Sequence, residues 1–261
     1  MNPTIRLVCI SDTHNAQPSV PSGDVVIHAG DLTQNGTTEE LQAAVSWIAS
    51  LPHPIKVVVA GNHDKALDAK YRDRHLLDAP EVNWQSSGII YLEHAATQIT
   101  IQGRKFTVFG STYTPEFGNW AFQYPPVNLL PERARNIWAA IPLHTDILIT
   151  HGPPFSHLDM AGMQHAGCRG LLERLWAVRP ALHVFGHIHA SRGGETLTWN
   201  ISQKRLESVC GTQGVTGRML DLIWFIIERA RRDTSKTRLI NACIQPTKSD
   251  AALSSGEVVY M

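Results

Sequence analysis

Short apolar runs recur along the chain, and several of them end abruptly in polar residues. Five such runs, each four to six residues long, are Ile5–Ile10, Val25–Ala29, Ile55–Ala60, Ile147–Thr150 and Leu182–Phe185. Continuous apolar runs of this length are typical of strands that are covered on both faces of a sheet. The chain therefore predicts buried strands whose carboxyl ends lead into polar loops.

Helical spacing of apolar residues appears between these strands. It covers Glu39–Ser50, Pro131–Ala140 and Gly170–Val178. The first helix begins after Thr37 or Thr38, and either threonine is suited to cap a helix N-terminus. Strands that alternate with helices are typical of layered α/β architectures.

The middle of the chain has a different pattern. Ile89–Tyr91, Thr97–Ile101 and Phe106–Phe109 follow one another closely, with a turn at Gly103, which predicts a meander in a second sheet. The predicted fold is therefore α/β in the layered α+β sense: a β-sandwich of two mixed sheets flanked by helices. Because ligands bind at the carboxyl ends of strands in open α/β sheets, we expect the functional residues in the strand-end loops.

The last third of the chain predicts further elements. They are a strand at Thr196–Asn200, a helix at Arg218–Arg232 and closing strands at Arg238–Ala242 and Val258–Tyr260. The basic end of this helix is interpreted as a solvated helix terminus, with a phosphate-binding patch as the alternative. No internal repeat or linker is recognisable, so we predict one domain over residues 1–261, with residues 193–237 as an insertion before the closing strand.

The composition is that of an ordinary globular protein. Of the 261 residues, 43% are hydrophobic and 18% are charged, which permits a sizeable core. The formal net charge is zero, so the chain has no overall field that would recruit nucleic acid or an anionic membrane. Any attraction for phosphate therefore has to come from the site, for example from bound metal.

The spacing of the cysteines and the lengths of the apolar runs bear on the cellular location of the protein. The four cysteines lie far apart without C-x-x-C spacing, which argues against a zinc ribbon or a disulfide scaffold. The N-terminal run ends by Ser11, too short for a signal peptide, and Met219–Ile227 is too short to span a bilayer. We therefore predict a cytoplasmic protein, with the nucleus as the alternative, and no membrane partner.

Side chains that can bind metal occur in five separate segments. The candidates are Asp12 and His14, Asp31, Asn62 and His63, His151, and His187 and His189. In an extended segment, residues at i and i+2 point to the same side, so both members of Asp-x-His or His-x-His can reach one ion. Imidazole and carboxylate without thiolate suit zinc, iron or manganese.

The number of candidate ligands favours two ions over one. Without His63, seven candidates remain, more than a single tetrahedral ion needs. A shared carboxylate resolves this excess by bridging two ions about 3.5–4 Å apart, as in two-metal hydrolytic sites. Each segment alone is also explained by ordinary loop chemistry, but the ordered set at strand ends predicts a metal centre.

These segments carry a resemblance to a known family. The chain resembles the calcineurin-like metallophosphoesterase superfamily in five blocks, in order: Asp12-x-His14, Gly30-Asp31, Gly61-Asn62-His63-Asp64, His151 and Gly186-His187-x-His189. A closer resemblance, to the metallophosphoesterase-domain-containing subgroup, rests on Ser11 to Asn15, Asp146 to Pro154, Phe185 to His189 and Ile240 to Ala242. The stretch from about Glu195 to Lys236 is longer than in the subgroup pattern.

The resemblance implies a β-sandwich and a role for each matching residue. It implies two divalent ions, foremost Mn²⁺, with iron, zinc, cobalt or nickel as the other candidates. One ion is expected to be held by Asp12, His14 and His189. The other is expected to be held by Asn62, His151 and His187, and Asp31 is expected to bridge the two.

The resemblance leaves His63 outside the ligand set and places it beside the leaving group. We expect His63 to donate a proton to the departing oxygen, with Asp64 orienting or stabilising its imidazole. The alternative for Asp64 is a turn residue that serves only the backbone.

The subgroup resemblance implies a small phosphoester substrate. Phosphodiesters, with cyclic nucleotides as the leading class, would be hydrolysed by a hydroxide that two metal ions activate. The aromatic segment Phe117–Tyr124, with Trp120 and Phe122, suits either base stacking or plain packing, and no nucleic-acid-binding module is recognisable.

Two other functions remain open at this stage. One is a phosphomonoesterase or protein phosphatase that uses the same site, which Arg169 or Arg192 would favour by reaching the outer phosphate oxygens. The other is a non-catalytic scaffold, which would be expected to lack a ligand or the acid.

Overall fold

The computed structural model describes residues 4–125, 131–210, 235–244 and 256–261. Its strands are β1 (Arg6–Ile10), β2 (Val25–Ala29), β3 (Ile55–Val59), β4 (Ile90–Tyr91), β5 (Ala95–Ile101), β6 (Arg104–Ser111), β7 (Thr114–Pro115), β8 (Gln123–Tyr124), β9 (Ile147–Thr150), β10 (Met160–Ala161), β11 (Gln164–His165), β12 (Leu182–Phe185), β13 (Gly193–Thr198), β14 (Lys236–Asn241) and β15 (Glu257–Tyr260). Its helices are α1 (Thr38–Ser50), α2 (Ala69–His75), α3 (Pro131–Trp138), α4 (Arg169–Val178) and α5 (Ile201–Cys210), with short 3₁₀ turns at Lys65–Leu67 and His189–Ser191.

The first sheet has the strand order β15-β1-β2-β3-β4. Strands β1 to β4 run parallel, and β15 pairs antiparallel with β1 at one edge. The register places Leu7 opposite Val25 and Val25 opposite Ile55. The parallel strands of the apolar runs therefore deliver their polar carboxyl ends to the same edge of this sheet.

The second sheet has the strand order β13-β14-β12-β9-β6-β5. Its four central strands β14, β12, β9 and β6 are parallel, whereas β13 and β5 pair antiparallel at the two edges. Two small two-stranded sheets, β7-β8 and β10-β11, complete the pairings among the described strands.

An apolar layer between the two sheets forms the main core. Alternate residues of each strand point into it, as the two-residue period of a strand requires. Its members include Leu7, Cys9, Ile27, Val57, Ile99, Phe106, Val108, Ile147, Ile149 and Val184. Full burial of an aliphatic side chain contributes roughly 1.5–3 kcal/mol.

Helices cover the outer faces of the sandwich. On the first sheet, Leu41 and Ile48 of α1 pack with Val58 of β3. On the second, Leu171 of α4 packs with Leu148 of β9 and with Trp138 of α3. The predicted β-sandwich flanked by helices is thus confirmed.

The start of α1 fixes the loop that follows β2. Thr37 is the N-cap, and its hydroxyl accepts a hydrogen bond from the backbone N–H of Glu40 at 3.2 Å. The Glu40 carboxylate accepts from the backbone N–H groups of Asn35 and Gly36 and from the side chain of Asn15. Of the two predicted caps, Thr37 is confirmed, and the cap ties α1 to the loop that contains Asn15.

The predicted meander is wrong in one strand. Ile90 and Tyr91 pair parallel with Val57 and Val58, so β4 belongs to the first sheet and not to the second. Only β5 and β6 form the expected hairpin, with the turn at Gly103, whose φ is +77°. The local pattern shows that 90–91 is extended, but the choice of sheet depends on a partner strand more than thirty residues away.

The late segment also differs from its prediction. The strand expected at Thr196–Asn200 is Gly193–Thr198, because the side chain of Asn200 instead accepts from the backbone N–H of Gln203 at the start of α5. Helices α2 and α5 had no counterpart among the predicted elements. The helix predicted at Arg218–Arg232 lies outside the described residues, and the single-domain prediction stays a prediction. Within the described ranges, no helix is long and apolar enough to cross a membrane.

A buried histidine joins α5 and β13 to the loop after β9. His157 contacts Glu195 of β13 through Nδ1 at 2.6 Å and Glu207 of α5 through Nε2 at 3.1 Å. The indole N–H of Trp176 donates to the other oxygen of Glu207 at 2.6 Å. Burial by itself lowers the pKa of His157, but the two glutamates outweigh burial and raise this pKa to about 9.

Stability should depend on pH through His157. A pKa raised from 6.5 contributes stability that is fully present below pH 6.5 and is lost as the pH rises through about 9. The change corresponds to roughly 3 kcal/mol. We expect urea unfolding to show a fall between pH 6.5 and 9.5 that is smaller by this amount in His157→Gln than in the wild type and in the surface control His144→Gln. Equal pH dependence in all three proteins would contradict this role.

Candidate metal centre

The loops that follow β1, β2, β3, β9 and β12 are joined by backbone hydrogen bonds. The N–H of Asp12 donates to the carbonyl of Gly30 at 2.8 Å, and the N–H of Gly186 donates to the carbonyl of His151 at 2.9 Å. The first bond links two loops of the first sheet, and the second links two loops of the other sheet. Two further bonds join the sheets: the N–H of His187 donates to the Asp12 carboxylate at 3.0 Å, and Nδ1 of His151 bonds to the carbonyl of Ala29 at 2.9 Å. The strand-end loops therefore form one connected surface at the edge of the sandwich.

Several candidate ligands have an unusual backbone conformation. Asp12, His14, Asp31 and His187 have φ values of 56°, 43°, 55° and 69°. Residues other than glycine rarely adopt positive φ, and such strain clusters at functional sites, where surrounding contacts maintain it. Four of the twelve described non-glycine residues with positive φ are thus among the metal ligands predicted from the sequence.

The first potential ligand group consists of Asp12, His14 and His189. Each offers one ligand atom, and these atoms lie within 4.8 Å of one another. Nε2 of His189 lies 3.1 Å from Oδ1 of Asp12 and 3.4 Å from Nε2 of His14. Nδ1 of His14 donates to the carbonyl of Thr33 at 3.2 Å, a bond that leaves Nε2 available as a ligand.

The second group consists of Asp31, His151 and His187, whose ligand atoms also lie within 4.8 Å of one another. Nε2 of His151 lies 3.3 Å from Oδ1 of Asp31 and 3.0 Å from the amide oxygen of Asn62. Nδ1 of His151 is held by the carbonyl of Ala29 at 2.9 Å. The structure thus brings the predicted members of the second ligand set together.

Asp31 lies between the two groups. Its Oδ1 contacts His151, and its Oδ2 lies 3.7 Å from Nε2 of His14. A third set of neighbouring ligand atoms comes from His14, Asp31 and His63. The carboxylate of Asp31 is therefore placed where one oxygen can face each ligand group.

The protonation states of these groups fit a cation. Burial opposes ionisation of Asp12 and Asp31, but hydrogen bonds and nearby imidazoles hold the pKa of Asp12 well below its usual range and that of Asp31 at about 2. Burial lowers the pKa of His14 and lowers that of His187 to about 4. Carboxylates that stay ionised and imidazoles that stay neutral are the forms that bind metal.

His189 and His151 differ from the other imidazoles of this set. The hydrogen bond to Asp12 raises the pKa of His189. The second departure is His151. Burial lowers its pKa, but Asp31 and Asp12 outweigh burial and raise the pKa to about 9. A protonated His151 balances part of the buried negative charge, as a metal cation would. The donor set of imidazole, carboxylate and amide oxygen without thiolate therefore fits hard or borderline divalent ions such as manganese, iron and zinc.

Two residues at the end of β14 support the ligands and were not singled out as site residues. The thiol of Cys243 donates to Oδ2 of Asp12 at 3.0 Å, and burial raises its pKa well above the usual range, so it remains a thiol. The side chain of Asn241 donates to the carbonyl of Ile188 at 2.9 Å, in the middle of the His187-x-His189 loop. Both residues lie at the carboxyl end of β14, and this position was the feature of the sequence that could have identified them as site residues.

Two glycines approach the ligands closely. A Cβ on Gly61 would collide with Oδ1 of Asp31 and would lie 2.6 Å from the ring of His151. A Cβ on Gly186 would collide with Oδ2 of Asp12. At both positions a larger residue would displace a ligand, which explains why glycine is needed there.

Asp64 has different contacts from those expected. Its carboxylate accepts hydrogen bonds from the backbone N–H groups of Leu32, Thr33 and Gly61 and from the Thr33 hydroxyl. The imidazole of His63 bonds instead to the carbonyl of Gln34 through Nδ1 at 2.7 Å. The alternative reading of Asp64, as a residue that serves the backbone, is what these contacts support.

The aromatic residues of the segment Phe117–Tyr124 have different environments: some pack in the core and one contacts the site. Phe122 is buried against Tyr71, whereas Phe117 is 84% exposed. Trp120 stacks on the imidazole of His63 with ring centroids 4.3 Å apart. Only Trp120 of these three aromatic residues contacts a candidate site residue.

The family profile for calcineurin-like phosphoesterases matches residues 5–191, which include every candidate ligand. The chain belongs to the calcineurin-like phosphoesterase family. This match confirms the predicted resemblance to calcineurin-like phosphoesterases.

Relatives of this calcineurin-like chain cover most of its length. A human protein named metallophosphoesterase domain-containing protein 1 is 39% identical over 208 residues, which are 72% of this chain and 61% of the human protein. A UPF0046 protein of Caenorhabditis elegans is 38% identical over 77% of this chain and 70% of its own length. A protein of Emericella nidulans named probable rhamnogalacturonate lyase C is 46% identical over 78% of this chain, which corresponds to only 19% of that protein.

Proposed function

We propose that the chain is a dinuclear phosphodiesterase for small substrates, with cyclic nucleotides as the leading class and Mn²⁺ as the preferred ion. The observation that carries this proposal is the position of Asp31. Its two oxygens face the group of Asp12, His14 and His189 on one side and His151 on the other. A carboxylate between two ligand groups is the arrangement that a two-metal hydrolytic site needs.

The residues of the chain divide the chemistry among them. Two bound divalent ions would supply a nucleophile at neutral pH by lowering the pKa of water and would offset charge on the phosphate oxygens. Asp12 and Asp31 supply the negative charge that would hold the ions. His63 lies at the rim of the ligand cluster, where it can give a proton to the departing oxygen of the substrate.

The surroundings of two arginines favour a diester over a monoester. A monoester carries more negative charge, so its recognition would use cations that are free to reach the outer oxygens. The guanidinium of Arg169 instead lies 3.6 Å from the centroid of the Phe155 ring, and Arg192 pairs with Glu257 at 3.1 Å. These contacts support a site in which bound metal ions supply most of the positive charge that attracts the phosphate.

The test compares bis(p-nitrophenyl) phosphate with p-nitrophenyl phosphate on chelator-stripped protein before and after addition of manganese. We expect no turnover without metal and, with manganese, a kcat/KM for the diester at least about tenfold above that for the monoester, a difference of ~1.4 kcal/mol in transition-state binding. Adenosine and guanosine cyclic monophosphates would be compared next. A monoester preference would replace this proposal with a phosphatase, and inactivity with manganese, zinc, iron, cobalt and nickel despite bound metal would favour a binding protein.

A further inference from the structure

We propose that Trp120 is a positioning residue that holds the imidazole of His63 at the leaving-group side of the site. This inference rests on the proposed proton transfer from His63 to the leaving oxygen. It gives the aromatic segment 117–124 a role that metal binding alone does not need.

The His63 ring is restrained on three sides. The indole of Trp120 stacks on it with ring centroids 4.3 Å apart and an interplanar angle of 28°. The ring of His14 meets it edge-on with centroids 4.6 Å apart and an angle of 82°. Nδ1 is bonded to the carbonyl of Gln34 at 2.7 Å. With Nδ1 engaged, Nε2 is the ring nitrogen that remains for the substrate.

Trp120 can restrain this ring because its own loop is attached to the loop of His63. The N–H of the next residue, Ala121, donates to the backbone carbonyl of Asn62 at 3.2 Å. The N–H of Phe122 donates to the carboxylate of Asp68 at 2.7 Å. Ala121 and Phe122 are both buried, so the backbone on the C-terminal side of Trp120 is fixed against the site.

A cation further restricts the indole. The ammonium of Lys65 lies 4.6 Å from the centroid of the Trp120 ring, a distance at which a cation–π interaction is favourable. Lys65 follows His63 and Asp64 in the same loop. The residues on both sides of Asp64 therefore contact one indole, which couples the position of Trp120 to that of the His63 ring.

Plain packing does not account for Trp120 as well as it does for its neighbours. Phe122 is 3% exposed and Ala121 fully buried, and both pack with Tyr71, whereas Trp120 is only half-buried. Its ring partner is a polar imidazole at the metal centre and not an apolar core residue. Phe117, which is 84% exposed in the same segment, provides a matched aromatic control.

The proton transfer defines what the stack should affect. When the ester bond between phosphorus and the leaving oxygen breaks, the leaving oxygen takes the proton from Nε2 of His63, and the N–H bonding electrons stay on that nitrogen. An alkoxide or a weakly acidic phenol needs this proton, but p-nitrophenolate is stable without it. Misplacement of His63 should therefore slow only reactions with poor leaving groups.

The kinetic test uses manganese-loaded protein with methyl p-nitrophenyl phosphate and methyl phenyl phosphate. For Trp120→Ala we expect kcat/KM to fall about tenfold with the phenyl ester and at most about twofold with the p-nitrophenyl ester. Trp120→Phe should recover most of the loss because it restores an aromatic face. Phe117→Ala should match the wild type on both substrates. An equal loss on both esters in Trp120→Ala would mean a merely structural role and would overturn the proposal.

A double-mutant cycle with His63→Ala separates the two levels of the proposal. If His63 is the acid and Trp120 acts through it, Trp120→Ala should have no further leaving-group-dependent effect in the His63→Ala background. A His63→Ala variant that loses nothing on the phenyl ester would refute the acid role within the proposed function. A selective loss in His63→Ala without one in Trp120→Ala would refute the positioning role alone.

A spectroscopic readout tests the contact without turnover. In the full chain loaded with diamagnetic zinc, the stacked indole should shift the His63 ring-proton NMR signals upfield. These signals are identified by their loss in His63→Ala. We expect Trp120→Ala to move them downfield and Phe117→Ala to leave them unchanged. Unchanged His63 signals in Trp120→Ala would overturn the positioning role.

Discussion

Replacement of Asp31 by asparagine should remove bound metal and abolish turnover. The carboxylate is buried between the two ligand groups, and its pKa of about 2 keeps it ionised throughout the useful pH range. An amide has the same shape as a carboxylate but carries no negative charge. Without that charge, the two bound cations would repel each other more strongly and the positive charge of nearby imidazoles would be left unbalanced. Both effects would oppose metal binding. We expect kcat/KM for bis(p-nitrophenyl) phosphate to fall by roughly a thousandfold or more.

Metal content decides whether Asp31 acts as the bridge. Inductively coupled plasma mass spectrometry after loading and desalting should give fewer ions per chain in Asp31→Asn than in the wild type. The control is Asp78→Asn, a surface carboxylate for which the same measurement and kcat/KM should be unchanged. Full occupancy in Asp31→Asn together with loss of activity would show that Asp31 is not needed to retain either ion.

Replacement of Asp64 by alanine should cause a large loss of stability. Three backbone N–H groups, those of Leu32, Thr33 and Gly61, would lose their acceptor in a buried place. A buried donor left without a partner costs about 1–3 kcal/mol, so the expected loss is roughly 4 kcal/mol in the free energy of unfolding. The measurement is urea unfolding of chelator-stripped protein, in which metal binding cannot add to stability.

A second carboxylate provides the control for this loss. Asp146 is half-buried at the opposite end of β9 from His151, and its carboxylate accepts a hydrogen bond from the backbone N–H of Thr107 at 2.8 Å. We expect Asp146→Ala to cost only about 1 kcal/mol. If Asp64→Ala proved as stable as the wild type but lost activity towards poor leaving groups, Asp64 would act on His63 as the sequence first suggested.

Much of the fold follows from local sequence patterns. The runs of β-branched residues mark β1, β2, β3, β9 and β12 because a strand covered on both faces needs apolar side chains at every position. Thr37 marks the start of α1 because its hydroxyl can satisfy a free backbone N–H there. Both signals depend only on residues near one another in the chain, so they can be interpreted without a structure.

Pairings between residues far apart in the chain could not be predicted from these local patterns. Ile90 and Tyr91 are recognisably extended, but their partners Val57 and Val58 determine which sheet they join. Asp64 is a plausible neighbour for His63 by sequence, yet its acceptor oxygens face backbone groups some thirty residues earlier. In both cases the element or residue type was correct, while the contact was decided by how distant segments pack.

The family, the buried strands and the order of the candidate ligands follow from the sequence alone, because they depend on residue type and on spacing along one segment. Folding in three dimensions places Asp31 between two ligand groups, brings Cys243 to Asp12 from 231 residues away and stacks Trp120 on His63. These contacts join loops from different strands. Their geometry exists only after both sheets have formed and packed, because sheet packing fixes the distances between the loops.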